Sequence, residues 1–277
     1  MTRSKNRALL LDYDGTLAPF RVERNKAVPY FGVRKILEKI IATGGCRVVV
    51  ISGRSVEDLL PLLGLQVTPE IWGSHGRERL YADGTYKILP VGAKADKALK
   101  EVLDWAGASG LESCCELKPG CIAFHVRGLA PEKAEKILTQ VRSVTSSLEQ
   151  RHGVGLHSFD GGLELRAEGC HKGQAVETIF QESGSDTVAA YLGDDRTDED
   201  AFRAIKGRGI GVLVRSELRT TEADFWIKPP EELLQFLSEW ARACNKGSKG
   251  QGAGGRGQEK DEHRTLNVQR RILNGKR

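Results

Sequence analysis

The hydrophobic pattern of the chain switches repeatedly between two signatures. Residues 7–11, Arg-Ala-Leu-Leu-Leu, form an apolar run that stops at Asp12, and residues 46–51, Cys-Arg-Val-Val-Val-Ile, form a second that stops at Ser52-Gly53-Arg54. Short apolar runs bounded by turn residues predict strands buried on both faces. Between them Val33, Ile36, Leu37, Ile40 and Ile41 recur on one helical face and end at Gly44-Gly45, and a further helix is expected over 55–64. This alternation predicts a parallel sheet with helices on its faces. Residues 77–89 then alternate around Asp83-Gly84, a favoured tight-turn pair, which predicts a hairpin.

The middle of the chain follows another rhythm. A helix over 94–107 precedes two short strands, 112–118 and 121–128, joined at Pro119-Gly120; a long helix over 131–150 precedes strands at 153–159 and 163–167, joined at Asp160-Gly161-Gly162. From Lys172 the first rhythm resumes, with helices at 173–184, 198–206 and 230–243 and strands at 187–195 and 209–214. The expected architecture is an α/β, Rossmann-like core built from residues 1–91 and 168–244, interrupted by an α+β cap at 92–167.

Composition narrows the setting. A hydrophobic content of 39% is enough for a real core. No stretch reaches the roughly 18 apolar residues of a membrane span, and the first residues lack the apolar region and cleavage site of a signal peptide, so the cytoplasm is the expected compartment. The six cysteines show no CxxC pair, and Cys114, Cys115, Cys121 and His125 match no common zinc spacing, so ordinary free thiols are expected. From Asn245 onward nine Lys and Arg face three Asp and Glu, which exceeds the whole net charge of +5. The basic excess is therefore confined to a Gly-rich segment, 245–277, expected to be disordered, and no specific nucleic-acid partner is expected for the rest.

Four polar clusters sit at the carboxyl ends of predicted core strands or at the start of the following helix: Asp12 and Asp14; Ser52, Gly53 and Arg54; Lys172; and Asp194 and Asp195 with Asp198. That edge of an open α/β sheet is where ligands bind, so positions far apart in the chain can converge. Two carboxylates one residue apart repel unless a cation or a reaction uses them. Ser52 can donate to a phosphate oxygen, and Lys172 at a helix start adds positive charge beside free N–H groups.

The motifs "DYDGT", "ISGR", "HKG" and "GDDRTDEDAF" resemble, in order, those of the haloacid dehalogenase superfamily, and "LDYDGTLAP", "GSHGRE", "ELKPGCIAFHVR" and "LELR" are similar to trehalose-6-phosphate phosphatases. The resemblance implies a core with a C2-type cap and hydrolysis of trehalose 6-phosphate, a small sugar phosphate, with Mg2+ as cofactor. It implies Asp12 as nucleophile and Asp14 as general acid and base, with Lys172 as the third catalytic group. Phosphate contacts would come from Thr16, Ser52, Gly53 and Arg54. Asp12, Asp14 through its backbone carbonyl, and Asp194 would hold the metal, with Asp195 and Asp198 supporting.

In the cap, the resemblance assigns the sugar hydroxyls to Glu116, Lys118, Arg127 and Glu164, since carboxylates accept from vicinal diols while Lys and Arg donate. Glu116 and Lys118 share strand parity, as do His125 and Arg127. Ala167 stands where the family usually has proline, which leaves sucrose phosphate or glucosylglycerol phosphate as alternative substrates. A phosphosugar-binding regulator without turnover is the alternative of another class. A trehalose-phosphate synthase is the candidate protein partner, and no membrane partner is expected.

Overall fold

The computed structural model describes residues 6–149 and 153–248. Twelve strands are present among them: β1 (Arg7–Leu11), β2 (Arg47–Ile51), β3 (Glu70–Gly73), β4 (Glu78–Leu80), β5 (Tyr86–Ile88), β6 (Cys115–Lys118), β7 (Cys121–His125), β8 (Val154–Phe159), β9 (Gly162–Ala167), β10 (Val188–Gly193), β11 (Gly209–Val214) and β12 (Phe225–Ile227). The helices are α1 (Val33–Ala42), α2 (Val56–Leu63), α3 (Ala93–Ala108), α4 (Pro131–Glu149), α5 (Lys172–Ser183), α6 (Glu199–Ile205) and α7 (Glu231–Ser248).

The strands form two sheets. The larger has the order β12-β11-β10-β1-β2-β3-β4-β5, the smaller β6-β7-β9-β8. The six strands from β12 to β3 run parallel, and β4 and β5 continue antiparallel as the expected hairpin. Two strands, β3 and β12, escape the sequence pattern: at four and three residues they are too short to show a period.

Strand alternation places the helices. Leu9 and Leu11 face α1, α2 and α7 through Val33, Leu37, Leu59, Leu233 and Trp240, whereas Ala8 and Leu10 face α5 and α6 through Val176, Ile179, Phe202 and Ile205. Leu9, Leu10 and Leu11 are all fully buried, each contributing about 1.5–3 kcal/mol by area removed from water. Helix α2 starts because the Ser55 hydroxyl accepts from Asp58 N at 3.1 Å, and stops at Gly64, whose φ of +57° only glycine adopts without cost. On the same face of the sheet, Trp240 stacks on Phe236 and donates through Nε1 to Cys46 Sγ at 3.3 Å.

The small sheet has a core of its own. Ile122, Phe124, Leu163 and Leu165 meet Ala98, Leu99 and Val102 of α3 and Val141 of α4, with Trp105 edge-on to Phe124. This α/β cap lies between β5 and α5 in the chain, as the sequence rhythm implies. Helix α7 runs to Ser248, so residues 245–248, expected to belong to a disordered segment, are helical instead: the amphipathic face that buries Leu233, Leu237, Trp240 and Cys244 carries the helix past them. The rest of that segment lies outside the described residues.

Candidate active site

Where β1 ends, Asp12 N donates to Leu192 O of β10 at 2.8 Å, so the two central strands splay only after this residue. The next turn needs Gly15: its φ is +84°, and a Cβ there would stand 2.2 Å from Asp194 Oδ2. This close approach brings the first and fourth polar clusters together. Lys172 Nζ, at the start of α5, donates to Asp12 Oδ1 at 2.5 Å and to Asp198 Oδ1 at 2.7 Å. Thr16 Oγ1 donates to Asp12 Oδ2 at 3.1 Å. Thr16 is fully buried and absent from the cavity wall, so it stands behind Asp12 and holds it; it was expected to face phosphate.

Carboxylate oxygens of Asp12, Asp194 and Asp198 lie within 4.8 Å of one another, the one such metal-capable grouping among the described residues. The cysteine-rich segment before β7 forms none. Burial, together with Asp12 and Asp198, drives the Asp194 carboxyl well above the ordinary carboxylate range. Burial also raises Asp12, to about 7, against the opposing pull of Lys172. Asp194 Oδ2 is buried without a hydrogen-bond partner, with Arg215 Nη1 3.8 Å away. Three buried acids against one lysine, with a carboxylate oxygen left without a donor, fit a hard divalent cation.

The neighbouring acids have further partners of their own. Asp198 Oδ1 also accepts from Tyr191 at 2.5 Å and Oδ2 from the Asp194 and Asp195 amides at 2.9 Å each, so it organises the loop from inside. Asp195, expected among the metal ligands, stands in the cavity wall outside that grouping: Oδ1 accepts from Arg196 N at 2.7 Å and Oδ2 from Asp160 N of the cap at 3.1 Å. Consecutive residues of an extended segment point to opposite sides, and Asp195 is extended, with φ −110° and ψ 176°. The Asp14 carboxylate is likewise engaged elsewhere, receiving Arg54 at 2.6 and 2.7 Å in a two-pronged pair.

The segment after β2 forms the next wall. Ser52 Oγ accepts from Arg54 N at 3.1 Å, which leaves its own proton for a ligand, and the segment is pinned to the turn after β3 by Ser74 N to Arg54 O at 2.7 Å and His75 N to Ser52 O at 2.9 Å. Gly53 has no room for a side chain, because a Cβ would sit 2.6 Å from the His75 ring.

The cap closes the cavity from above. Lys118 Nζ donates to Gly53 O at 2.8 Å and to Glu164 Oε1 at 2.5 Å, bridging cap to core. Burial opposes the charge on Lys118, but Glu164 overcomes it and the ammonium is held above its ordinary range. Glu116 meets Arg24 of the core at 2.5 Å and His125 at 2.8 Å. Burial would raise Glu116, but the His125 hydrogen bond and the Lys118 and Arg24 charges prevail and lower it to about 2. Arg127 donates to Asp160 O and lies 4.2 Å over the Phe20 ring.

The cavity between core and cap measures about 140 Å³ and is walled by Asp12, Asp14, Ser52, Lys118, Glu164 and Lys172 among others. An outer cleft of about 730 Å³, bordered by Glu116, shares Arg24, Arg54, His125 and Arg127 with it. Arg24, Phe20 and His75 were not foreseen as site residues; only His75 carried a signal, inside "GSHGRE". The departure at Ala167 is absorbed locally, since its N–H donates to Gly120 O at 2.8 Å, a bond proline cannot make.

The comparisons agree with this geometry. The chain is 30% identical over 249 residues to a trehalose-phosphate phosphatase of Mycobacterium marinum, with 84% of this chain and 61% of that protein covered, so it spans about three fifths of that relative's length. The fold matches the C-terminal domain of Candida albicans trehalose-6-phosphate phosphatase with a TM-score of 0.74, 20% identity and coverage of 86% of this chain and 93% of that one. It matches a haloacid dehalogenase-like hydrolase from Bacteroides thetaiotaomicron with a TM-score of 0.60, 16% identity and coverage of 85% and 100%. The core with its inserted cap is thus a haloacid dehalogenase fold of the C2 type. The trehalose-phosphatase family model spans residues 10–225, from the end of β1 to the start of β12 and across every residue of the cavity, and the chain belongs to that family.

Proposed function

We propose that the protein hydrolyses trehalose 6-phosphate to trehalose and phosphate through a phosphorylated Asp12. The observation that carries this reading is the single cavity in which a charge-rich acidic centre and a paired cap wall face each other. Asp12 attacks the phosphorus while Lys172 and Thr16 hold both its oxygens in place. Ser52 and Lys172 meet the phosphate oxygens. Asp14 gives its proton to the departing sugar oxygen and then takes one from the water that cleaves the acyl phosphate. The pairing with Arg54 keeps that carboxylate oriented.

Asp12 and Asp194, with the Asp14 carbonyl, would hold Mg2+, which supplies charge neutralisation of the transferring phosphoryl group when bound. The grouping fits it through the orphaned Asp194 oxygen. In the cap, Lys118, Glu164, Glu116 and Arg127 meet the sugar hydroxyls. No helix among the described residues is long and apolar enough to cross a membrane. Because a doubly charged sugar phosphate does not cross membranes, we place the reaction in the cytoplasm, where a trehalose-phosphate synthase would supply the substrate. Phosphate release from trehalose 6-phosphate, sucrose phosphate, glucosylglycerol phosphate and glucose 6-phosphate, with and without Mg2+, tests the reading. Trehalose 6-phosphate should be turned over fastest; preference for glucose 6-phosphate over every glycosylated ester overturns it.

A further inference from the structure

One buried group in the cavity wall has no part in the chemistry above. His75 lies in the turn after β3, where both Ser74 and His75 adopt left-handed backbone, with φ of 47° and 58°. Such conformations cost about 1–3 kcal/mol each and persist only where surroundings enforce them. Here the Ser74 hydroxyl donates to Glu78, and the amides of Ser74 and His75 donate to Arg54 O and Ser52 O. The turn is therefore built onto the phosphate-facing segment.

This placement points the His75 ring across Gly53 to the cap. Nε2 stands 2.7 Å from Glu164 Oε2, while Lys118 occupies Glu164 Oε1 and also reaches Gly53 O. Glu164, Lys118, Gly53 and His75 thus close a ring, half cap and half core. Nδ1 is buried with no hydrogen-bond partner. A ring nitrogen in that position is tolerable as a bare lone pair and costly as an N–H, which assigns the proton to Nε2.

We propose that His75 is a positioning residue for sugar recognition: its Nε2–H fixes Glu164, and through Glu164 and Lys118 it sets where the cap rests on the Ser52-Gly53 segment. The proposal rests on the sugar-phosphate reading of the cavity. His75 discriminates indirectly, since an ester lacking sugar hydroxyls gains nothing from a correctly placed Glu164.

The test compares wild type, His75→Asn and His75→Gln on trehalose 6-phosphate and on 4-nitrophenyl phosphate. Asn tolerates the left-handed backbone but stops short of Glu164, whereas Gln carries an amide N–H to about the reach of Nε2. Losing a hydrogen bond to a charged group is worth about tenfold to a hundredfold, so His75→Asn should raise KM for trehalose 6-phosphate by at least about tenfold more than for the aryl ester. His75→Gln should recover most of that difference. Equal losses on the two esters, or equal losses in the two variants, overturn the proposal. Wild type that cleaves only the aryl ester defeats the sugar-phosphate reading instead. Independently of either variant's activity, 15N-histidine NMR of the wild-type protein at pH 7 should show a neutral Nε2–H tautomer that is missing from the His75→Gln spectrum. An Nδ1–H tautomer or an imidazolium for that signal overturns the assignment.

Discussion

The floor and the roof of the cavity handle charge in opposite ways. In the floor, Asp12 and Asp198 share Lys172, and Asp194 beside them has one oxygen without a hydrogen-bond donor. In the roof, Glu164 has Lys118, His75 and Arg166 around it, and Glu116 has Arg24 and His125. The floor is short of positive charge and calls for a cation from outside. The roof already sets Lys118, Arg166 and Arg24 against its two carboxylates, so it needs no cation from outside to meet uncharged hydroxyls. On the proposed reading, phosphate chemistry and sugar selection are thereby electrostatically separate, although the two surfaces line the same space.

The contrast breaks most sharply at Asp12. Asp12→Asn should lower kcat at least about a thousandfold in phosphate-release assays at saturating substrate, because an amide is a poor nucleophile, and the loss should be equal for sugar and aryl esters. Near-normal kcat would remove Asp12 from the reaction.

Roof substitutions should be selective where floor substitutions are not. Lys118→Ala and Glu164→Gln should reduce kcat/KM for trehalose 6-phosphate by roughly a hundredfold, about 2.7 kcal/mol, and for 4-nitrophenyl phosphate by much less. Parallel losses on both esters would mean that these residues serve folding or the floor.

Stability separates the two surfaces again. With chelator present, Asp194→Asn should raise Tm by a few degrees, since it removes one of three crowded buried carboxylates, and it should abolish the rise in Tm that Mg2+ gives the wild type. Glu164→Gln should lower Tm equally with and without Mg2+. Calorimetric scans in both buffers check the pair.

Acid titration is the finest instrument of the four. His75, between Glu164, Lys118 and Arg166, is lowered from 6.5 to about 4 by burial, with Glu164 opposing. The unfolded chain therefore takes up a proton before the folded one as pH falls, so this group erodes stability between about 6.5 and 4 and not below. Glu116, held at about 2, adds stability that is full above about 4.5 and is lost as pH falls toward 2. His75→Gln should flatten Tm against pH in the upper window only.

Much of this was legible from the chain. The strand ending at Asp12 showed itself because all five residues of β1 are buried, and the helices because their apolar faces kept a helical period. The floor could be assembled because each of its groups follows a recognisable strand or opens a helix. What stayed hidden has physical causes. Asp195 and Asp198 are equally acidic in sequence, and only the extended backbone at Asp195 sets one outside the metal-capable grouping and leaves the other in. Arg24 is one cation in a polar loop, and its meeting with Glu116 depends on how the cap comes down. The left-handed turn at His75 is imposed by carbonyls from the segment after β2, so no local propensity announces it.

The placement of the aromatic residues has an optical consequence. The chain has four tryptophans, Trp72, Trp105, Trp226 and Trp240, and none of them walls the cavity. Trp240 is buried with its indole N–H on the Cys46 thiol, a close quencher, so its emission should be dim in the fold and brighten when α7 leaves the sheet. Trp105, packed edge-on against Phe124, is the one indole of the cap. Intrinsic fluorescence should therefore report melting of either part faithfully and remain nearly blind to sugar phosphate, so titrations of ligand need an extrinsic dye or a calorimeter.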